Sequence, residues 1–321
     1  MSDPITSAEP SQMDAWLDEA NAIHDATPEP GLALLRRIVP AELRPARRPL
    51  YAFLMNHVPG EKFGRWDEAL AAQQAVVDAT RADMSPVLWR HAAVAARLAR
   101  DEARATAWRD ALARAVDAPP EQAQALVALA AASLTAPSQD AGAAGRTALD
   151  ALGPLVGAKT APGLDASFAA VANNLGSHLA ERPLADLRQP ELRVALEVAA
   201  ELALQFWQRA GQWLQQERAH YLCAMACNAL GDAAGAVQHA RAALALIDAN
   251  DHTNAETVDR AFIELELSQA LRLAAEEGAA AATARAERLA AGFEAEDLRT
   301  WFADRRARNA ALLAHYARES A

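Results

Sequence analysis

The chain is predicted to be all-α, and three observations predict it. A helix-pair signature recurs along its length, most clearly from His220 to Asp248. The 321 residues are 52% hydrophobic but only 5% aromatic, with Ala, the best helix former, carrying much of the apolar count. No stretch sustains the period-two alternation of β-branched residues that a half-buried strand needs. In the clearest copy an apolar helix ends at Ala229-Leu230, Gly231-Asp232 make a tight turn, and a second Ala-rich helix ends in Ala243-Leu244. A pair of this kind cannot bury its apolar face alone and must stack on similar pairs.

Taken in order, the elements start with a weaker unit from Trp16 to Val39. Phe53 and Trp89, 36 residues apart, each open the first helix of a pair. Phe53 leads to Gly64-Arg65-Trp66-Asp67-Glu68-Ala69-Leu70, and Trp89 leads through Ala92, Ala93 and Ala96 to Ala105 and Leu112. A second weaker unit covers Ala125 to Ala151. Asn174-Leu175-Gly176 with Leu179 forms the core of another first helix, followed by a longer loop through Pro183 and a helix from near Pro190. The 220–248 copy comes next, and Leu273, Ala282, Ala286 and Leu289 set the last. Leu175 to Cys223 is 48 residues and Cys223 to Gln269 is 46, so these later units have long helices or loops. An Arg-rich helix from Glu294 to Ala317 is expected to cap the array.

Residues three and four apart share a helix face. His220, Cys223, Ala224 and Cys227 lie on one face of the first helix of the clearest copy, and Ala236, Ala240 and Ala243 on one face of the second. Ala at the contact lets two helices approach closely, and Gly at the turn takes the left-handed conformation that ends a helix. With the Leu-Gly pairs, this pattern resembles the tetratricopeptide repeat (TPR), although Asp248 stands where that family usually has Pro and the later units exceed its ~34-residue period. The resemblance covers most of the chain and is most specific at 50–80 and 217–250. It implies a right-handed superhelix, an α-solenoid of about six or seven antiparallel helix pairs plus the capping helix. The expected organisation is a flexible 1–10, helical repeats over 11–137, a Gly/Pro-rich bend at 138–163, longer repeats over 164–293, and a capping helix and tail at 294–321.

Charge and compartment narrow the function classes. A net charge of −11 opposes binding to nucleic acid, whose phosphates need Lys and Arg. The positive charge is almost all Arg, a bias that, with the abundant Ala, resembles a GC-rich bacterial genome. The run Arg36, Arg37, Arg44, Arg47 and Arg48 sits among acidic neighbours and reads as solvated surface. No apolar run approaches the ~20 residues that span a membrane. MSDPITSAEP has neither the charged nor the apolar region of a secretory signal, and two cysteines make no disulfide framework, so the expected location is the cytoplasm.

Candidates for chemistry are few. His220, Cys223 and Cys227 have residue types that bind zinc, but the repeat frame places them in the helix interface, where Cys acts as a small hydrophobe. His57 and Glu61 flank Pro59-Gly60 in a turn; they form either an acid/base pair or a helix cap. His91, His178, His239 and His252 are scattered through the frame. There is no phosphate loop, His-Glu-x-x-His or Gly-x-Ser-x-Gly, so no cofactor, metal or catalytic residue is expected.

The resemblance supplies a binding surface. In TPR proteins, first-helix residues beside the packing positions line a concave groove that binds peptides. Here those positions fall on Arg90 and Arg97, on Asn173 and Ser177, on Arg218, Tyr221, Met225 and Asn228, and on Glu264. Arg offers a donor fork for carboxylates, Asn pairs with extended backbone, and Tyr and Met give adaptable apolar contact. The same residues also suit an ordinary exposed face, and Glu217-Arg218 and Asp259-Arg260 read equally as surface charge. The expected function is a non-enzymatic scaffold or adaptor holding a protein or peptide segment, with self-association open to it. Two other readings stay open: a regulatory sensor for a small molecule or signalling peptide, and an accessory or catalytic component of a biosynthetic pathway.

Overall fold

The computed structural model describes residues 12–80 and 83–319. The expected flexible segment at 1–10 lies outside the described residues. Among the described residues there are fifteen α-helices and no strands. No helix among them is long and apolar enough to cross a membrane. The chain divides into two compact units, one through Leu134 and one from Thr135.

Unit 1 holds α1 (Gln12–Ile23), α2 (Pro28–Leu35), α3 (Arg48–Met55), α4 (Trp66–Thr80), α5 (Pro86–Leu98), α6 (Glu102–Ala115) and most of α7 (Pro120–Thr135). Between α3 and α4 the chain widens into a π-helical turn, Asn56–Lys62, with Pro59 inside it. Helices neighbouring in sequence pack together: α1 on α2, α3 and α5 on α4, and α5 on α6. Leu17, Leu32, Leu35, Leu54 and Val58 are among the residues that fill the core. The basic run is tied down within the chain. Arg36 pairs with Glu68, Arg44 with Asp14 and Arg47 with Asp18, while Arg37 lies over the Trp16 ring.

Unit 2 contains α8 (Ala141–Leu152), α9 (Pro162–Ala180), α10 (Pro190–Ala210), α11 (Trp213–Leu230), α12 (Ala233–Asn250), α13 (Thr257–Leu273), α14 (Ala279–Ala290) and α15 (Glu296–Glu319). Helices α9 to α14 form three consecutive pairs, and α9 also touches α11, which touches α13. The first helices of the pairs therefore make one layer. Small residues set the closeness of the contacts, with Ala224, Ala236, Ala240, Ala243 and Ala282 all fully buried.

Local sequence explains where these helices begin and end. Proline occupies the first position of α2, α5, α7, α9 and α10, where its missing N–H costs nothing. Ser85, Asp101, Asp140 and Asp232 accept a backbone N–H three residues on, each such cap contributing about 1 kcal/mol. Gly231 closes α11 in the left-handed conformation (φ +82°), and the Tyr316 ring packs where a Cβ would sit.

The Gly/Pro-rich stretch 138–163 contains α8, packed on α10, and Gly145 meets the backbone there: a Cβ on it would lie 2.6 Å from the Leu192 nitrogen. This glycine serves close helix packing, a role composition cannot separate from bending. The final helix does more than end the array. It packs on α13 and sends side chains to α11 and α9, lying against the layer of first helices.

Candidate functional site

The side of α9, α11 and α13 that faces α15 holds a cleft of ≈ 630 Å³. Its walls come from Ser177 of α9, Tyr221 and Met225 of α11, Phe262 of α13, and Trp301 and Arg308 of α15. Trp301 is 57% exposed at the rim.

A buried ionic network fixes the floor. Glu266 of α13 is fully buried. Its Oε1 accepts from Arg305 Nε at 2.6 Å and Asn309 Nδ2 at 3.0 Å, and its Oε2 accepts from Asn228 Nδ2 at 2.8 Å. Burial alone would push the carboxyl up; the Arg305 charge and these donors outweigh it and hold it below the ordinary value. Burial likewise depresses Arg305, but Glu266 reverses the effect and raises it, so both groups stay ionised. Arg308, whose pKa burial and the adjacent Arg305 lower, donates to the carbonyls of Ala180 and Arg182 at the end of α9, where the helix dipole favours a cation. Tyr316 Oη donates to Ala229 O at 2.7 Å. Phe302 meets Phe262 edge-to-face at 5.6 Å.

Of the nine residues expected to line a groove, three come together in this cleft: Ser177, Tyr221 and Met225. Asn228 is not at the surface; it is fully buried and orients Glu266. Glu264 is also buried and receives both arms of the Arg285 fork, at 2.6 and 2.8 Å, so it joins α13 to α14. Arg218 is exposed but held by Asp259 at 2.9 Å and Glu256 at 3.6 Å. Asn173 is half-buried on α9, with its Oδ1 enclosed. Arg90 and Arg97 belong to unit 1. Arg90 is half-buried beside His91, and burial lowers its guanidinium to about 10. Arg97 is exposed and shares a ≈ 200 Å³ recess with Arg109 and Gln124.

Glu217 contradicts a surface reading. It is fully buried in α11, and neither carboxylate oxygen accepts a hydrogen bond. Burial, with Asp259 beside it, raises its pKa from 4.5 to about 8. The expected interface role of the cysteines fits the contacts. Cys223 Sγ donates to Ala200 O at 3.4 Å, burial pushes the Cys227 thiol up to about 12, and His220 instead meets His239 Nδ1 to Nδ1 at 2.9 Å.

The sequence did not point to three residues of the cleft and its floor: Trp301, Arg305 and Glu266. A signal existed for Arg305 alone: Phe302, Arg305, Asn309, Leu312 and Tyr316 recur at spacings of three and four, a stripe that must lie on another surface. Arg and Asn inside the stripe disguise it as solvent-facing. No family model matches the chain, and no curated protein matches it.

Proposed function

We propose that the chain is a TPR-like interaction module that holds a protein or peptide segment in the cleft of unit 2. The observation that carries this reading is the layer of first helices itself, which already receives a helix, α15, through buried polar anchors and an aromatic contact. A surface built this way recognises an amphipathic segment by apolar contact plus a few fixed polar groups. The remaining ≈ 630 Å³ beside α15 offers Met225, Phe262 and Trp301 as apolar contacts. Arg308 and Asp304 supply charge at the edge. The groups are ordered before binding, so the entropic cost falls mainly on the partner segment. On this reading the helix pairs are TPR-like repeats and the module acts without catalysis.

A second reading rests on the size of the cleft, which falls in the ~300–1,000 Å³ range of small-molecule sites. Selection of displayed peptides against the full chain, with Trp301→Ala and Ser177→Asp variants as controls, tests the first reading. Peptides retained by the wild type and lost with both variants support it. Equal retention by all three proteins removes the cleft as the binding surface. If no peptide is selected and a metabolite raises the melting temperature of the wild type but not of the variants, the small-molecule reading replaces it.

A further inference from the structure

In unit 1, the turn after α1 and the π turn after α3 bring His24, Asp25 and His57 together, with one ligating atom of each within 4.8 Å of the others. His24 Nε2 lies 3.3 Å from Asp25 Oδ2, and His57 Nε2 lies 3.4 Å from Asp25 Oδ1. The two nitrogens approach different oxygens of the one Asp25 carboxylate, so the rings flank it from both sides.

The opposite ring nitrogens fix the tautomers. His24 Nδ1 is 2.7 Å from the Asn21 carbonyl oxygen, which only accepts, so Nδ1 carries the hydrogen. His57 Nδ1 donates to Glu61 Oε2 at 2.6 Å. A ring whose Nδ1 carries the hydrogen presents Nε2, the atom nearest Asp25, as the one open to a metal. His57 Nε2 lies within hydrogen-bond reach of Asp25 Oδ1 at 3.4 Å and Lys62 Nζ lies 2.8 Å from the same oxygen, so the geometry offers two ring nitrogens and a carboxylate to an ion that displaces these contacts. The Glu61–His57 contact has the form of the carboxylate–histidine–metal relay that orients a ligating imidazole and raises its basicity.

The surroundings hold this geometry. His57 stacks on Phe53, with ring centroids 5.5 Å apart and planes 9° from parallel. The π turn that sets His57 against Glu61 is locked at Gly60, where the Trp66 ring packs so closely that a Cβ would fall 2.4 Å from it. Such π segments concentrate at functional sites. The His24 and His57 side chains are mostly enclosed, whereas Asp25 is 64% exposed, leaving an approach from solvent.

We propose that His24, Asp25 and His57 bind a divalent first-row transition ion such as Zn²⁺ or Co²⁺, with Glu61 as the positioning residue. Two imidazoles select such ions over Mg²⁺ and Ca²⁺, which prefer all-oxygen shells. Three protein ligands leave a fourth position open.

The test titrates the chelator-stripped full chain with Co²⁺ at pH 7.5, reading visible d–d absorbance and stoichiometry by equilibrium dialysis, then displaces Co²⁺ with Zn²⁺. One ion per chain in a tetrahedral spectrum is expected, with no displacement by Mg²⁺. Asp25→Asn, at an exposed position and checked for retained helicity, should weaken Co²⁺ binding at least tenfold. Glu61→Gln should weaken it about 10–100-fold. Lys62→Gln, which frees the carboxylate, should strengthen it. Absence of stoichiometric Co²⁺ from the folded wild type, or unchanged binding in both Asp25→Asn and Glu61→Gln, overturns the assignment.

Discussion

Replacing Glu217 by Gln should make unit 2 more stable, and increasingly so as pH rises. In the fold the carboxyl is fully buried on α11, beside the Asp259 carboxylate that already serves Arg218. Burial first, and Asp259 second, raise its pKa from 4.5 to about 8. The unfolded chain thus releases this proton near pH 4.5, while the folded chain keeps it until about pH 8. Across that interval the native state binds more protons than the unfolded state, so stability falls as pH rises and levels off above pH 8. At about 1.36 kcal/mol per pH unit the full swing approaches 5 kcal/mol, and water reaching the ionised group should reduce it to about 2–4 kcal/mol. Glutamine has the same shape and cannot ionise. Urea unfolding of both proteins, followed by tryptophan fluorescence between pH 4 and 9, should give near-equal stabilities at the acid end. Glu217→Gln should lead by about 2–4 kcal/mol at pH 9. A pH-independent difference between the two curves would refute the assignment of a buried, protonated carboxyl.

Arg305→Ala leaves Glu266 ionised, buried and short of its main partner. It should cost about 3–5 kcal/mol, read as a lower unfolding midpoint with faster hydrogen exchange concentrated in α15. The same substitution with Glu266→Gln should recover part of that loss. Gly145→Ala drives a methyl into the α10 backbone and should cost about 1–3 kcal/mol by urea unfolding; Gly153→Ala, with open space around it, serves as the control.

What the sequence made legible follows from what periodicity encodes. Spacings of three and four and the Gly231 stop depend on neighbours within a few residues, so the turn between α11 and α12 could be read, whereas α12 continues to Asn250, past its expected end at Ala243-Leu244. The groove residues depend on which helix covers which face. Arg218, Asn228 and Glu264 have the residue types of a peptide-binding surface, yet Asn228 and Glu264 are consumed by partners 38 and 21 residues away. Ser177, Tyr221 and Met225 escaped that fate because α15 leaves the cleft beside them open. Glu217 shows the same limit, since Glu-Arg on a helix carries no mark of burial. The His24–Asp25–His57 cluster was only half visible: His57 and Glu61 are a turn apart in sequence, whereas His24 and Asp25 come from the turn after α1.

The return of α15 changes how unit 2 must assemble and come apart. A stack of helix pairs is a linear chain of nearest-neighbour couplings, free to fray from either end and able to mature from the first pair onward. Arg308, by contrast, reaches the carbonyls of residues 126 and 128 positions earlier, and Tyr316 joins residues 87 apart. These contacts bypass the nearest-neighbour order and bind the end of the unit to its middle. Part of the fold of unit 2 is therefore withheld until α15 has been synthesised. Once closed, loosening the terminal helix weakens the unit as a whole.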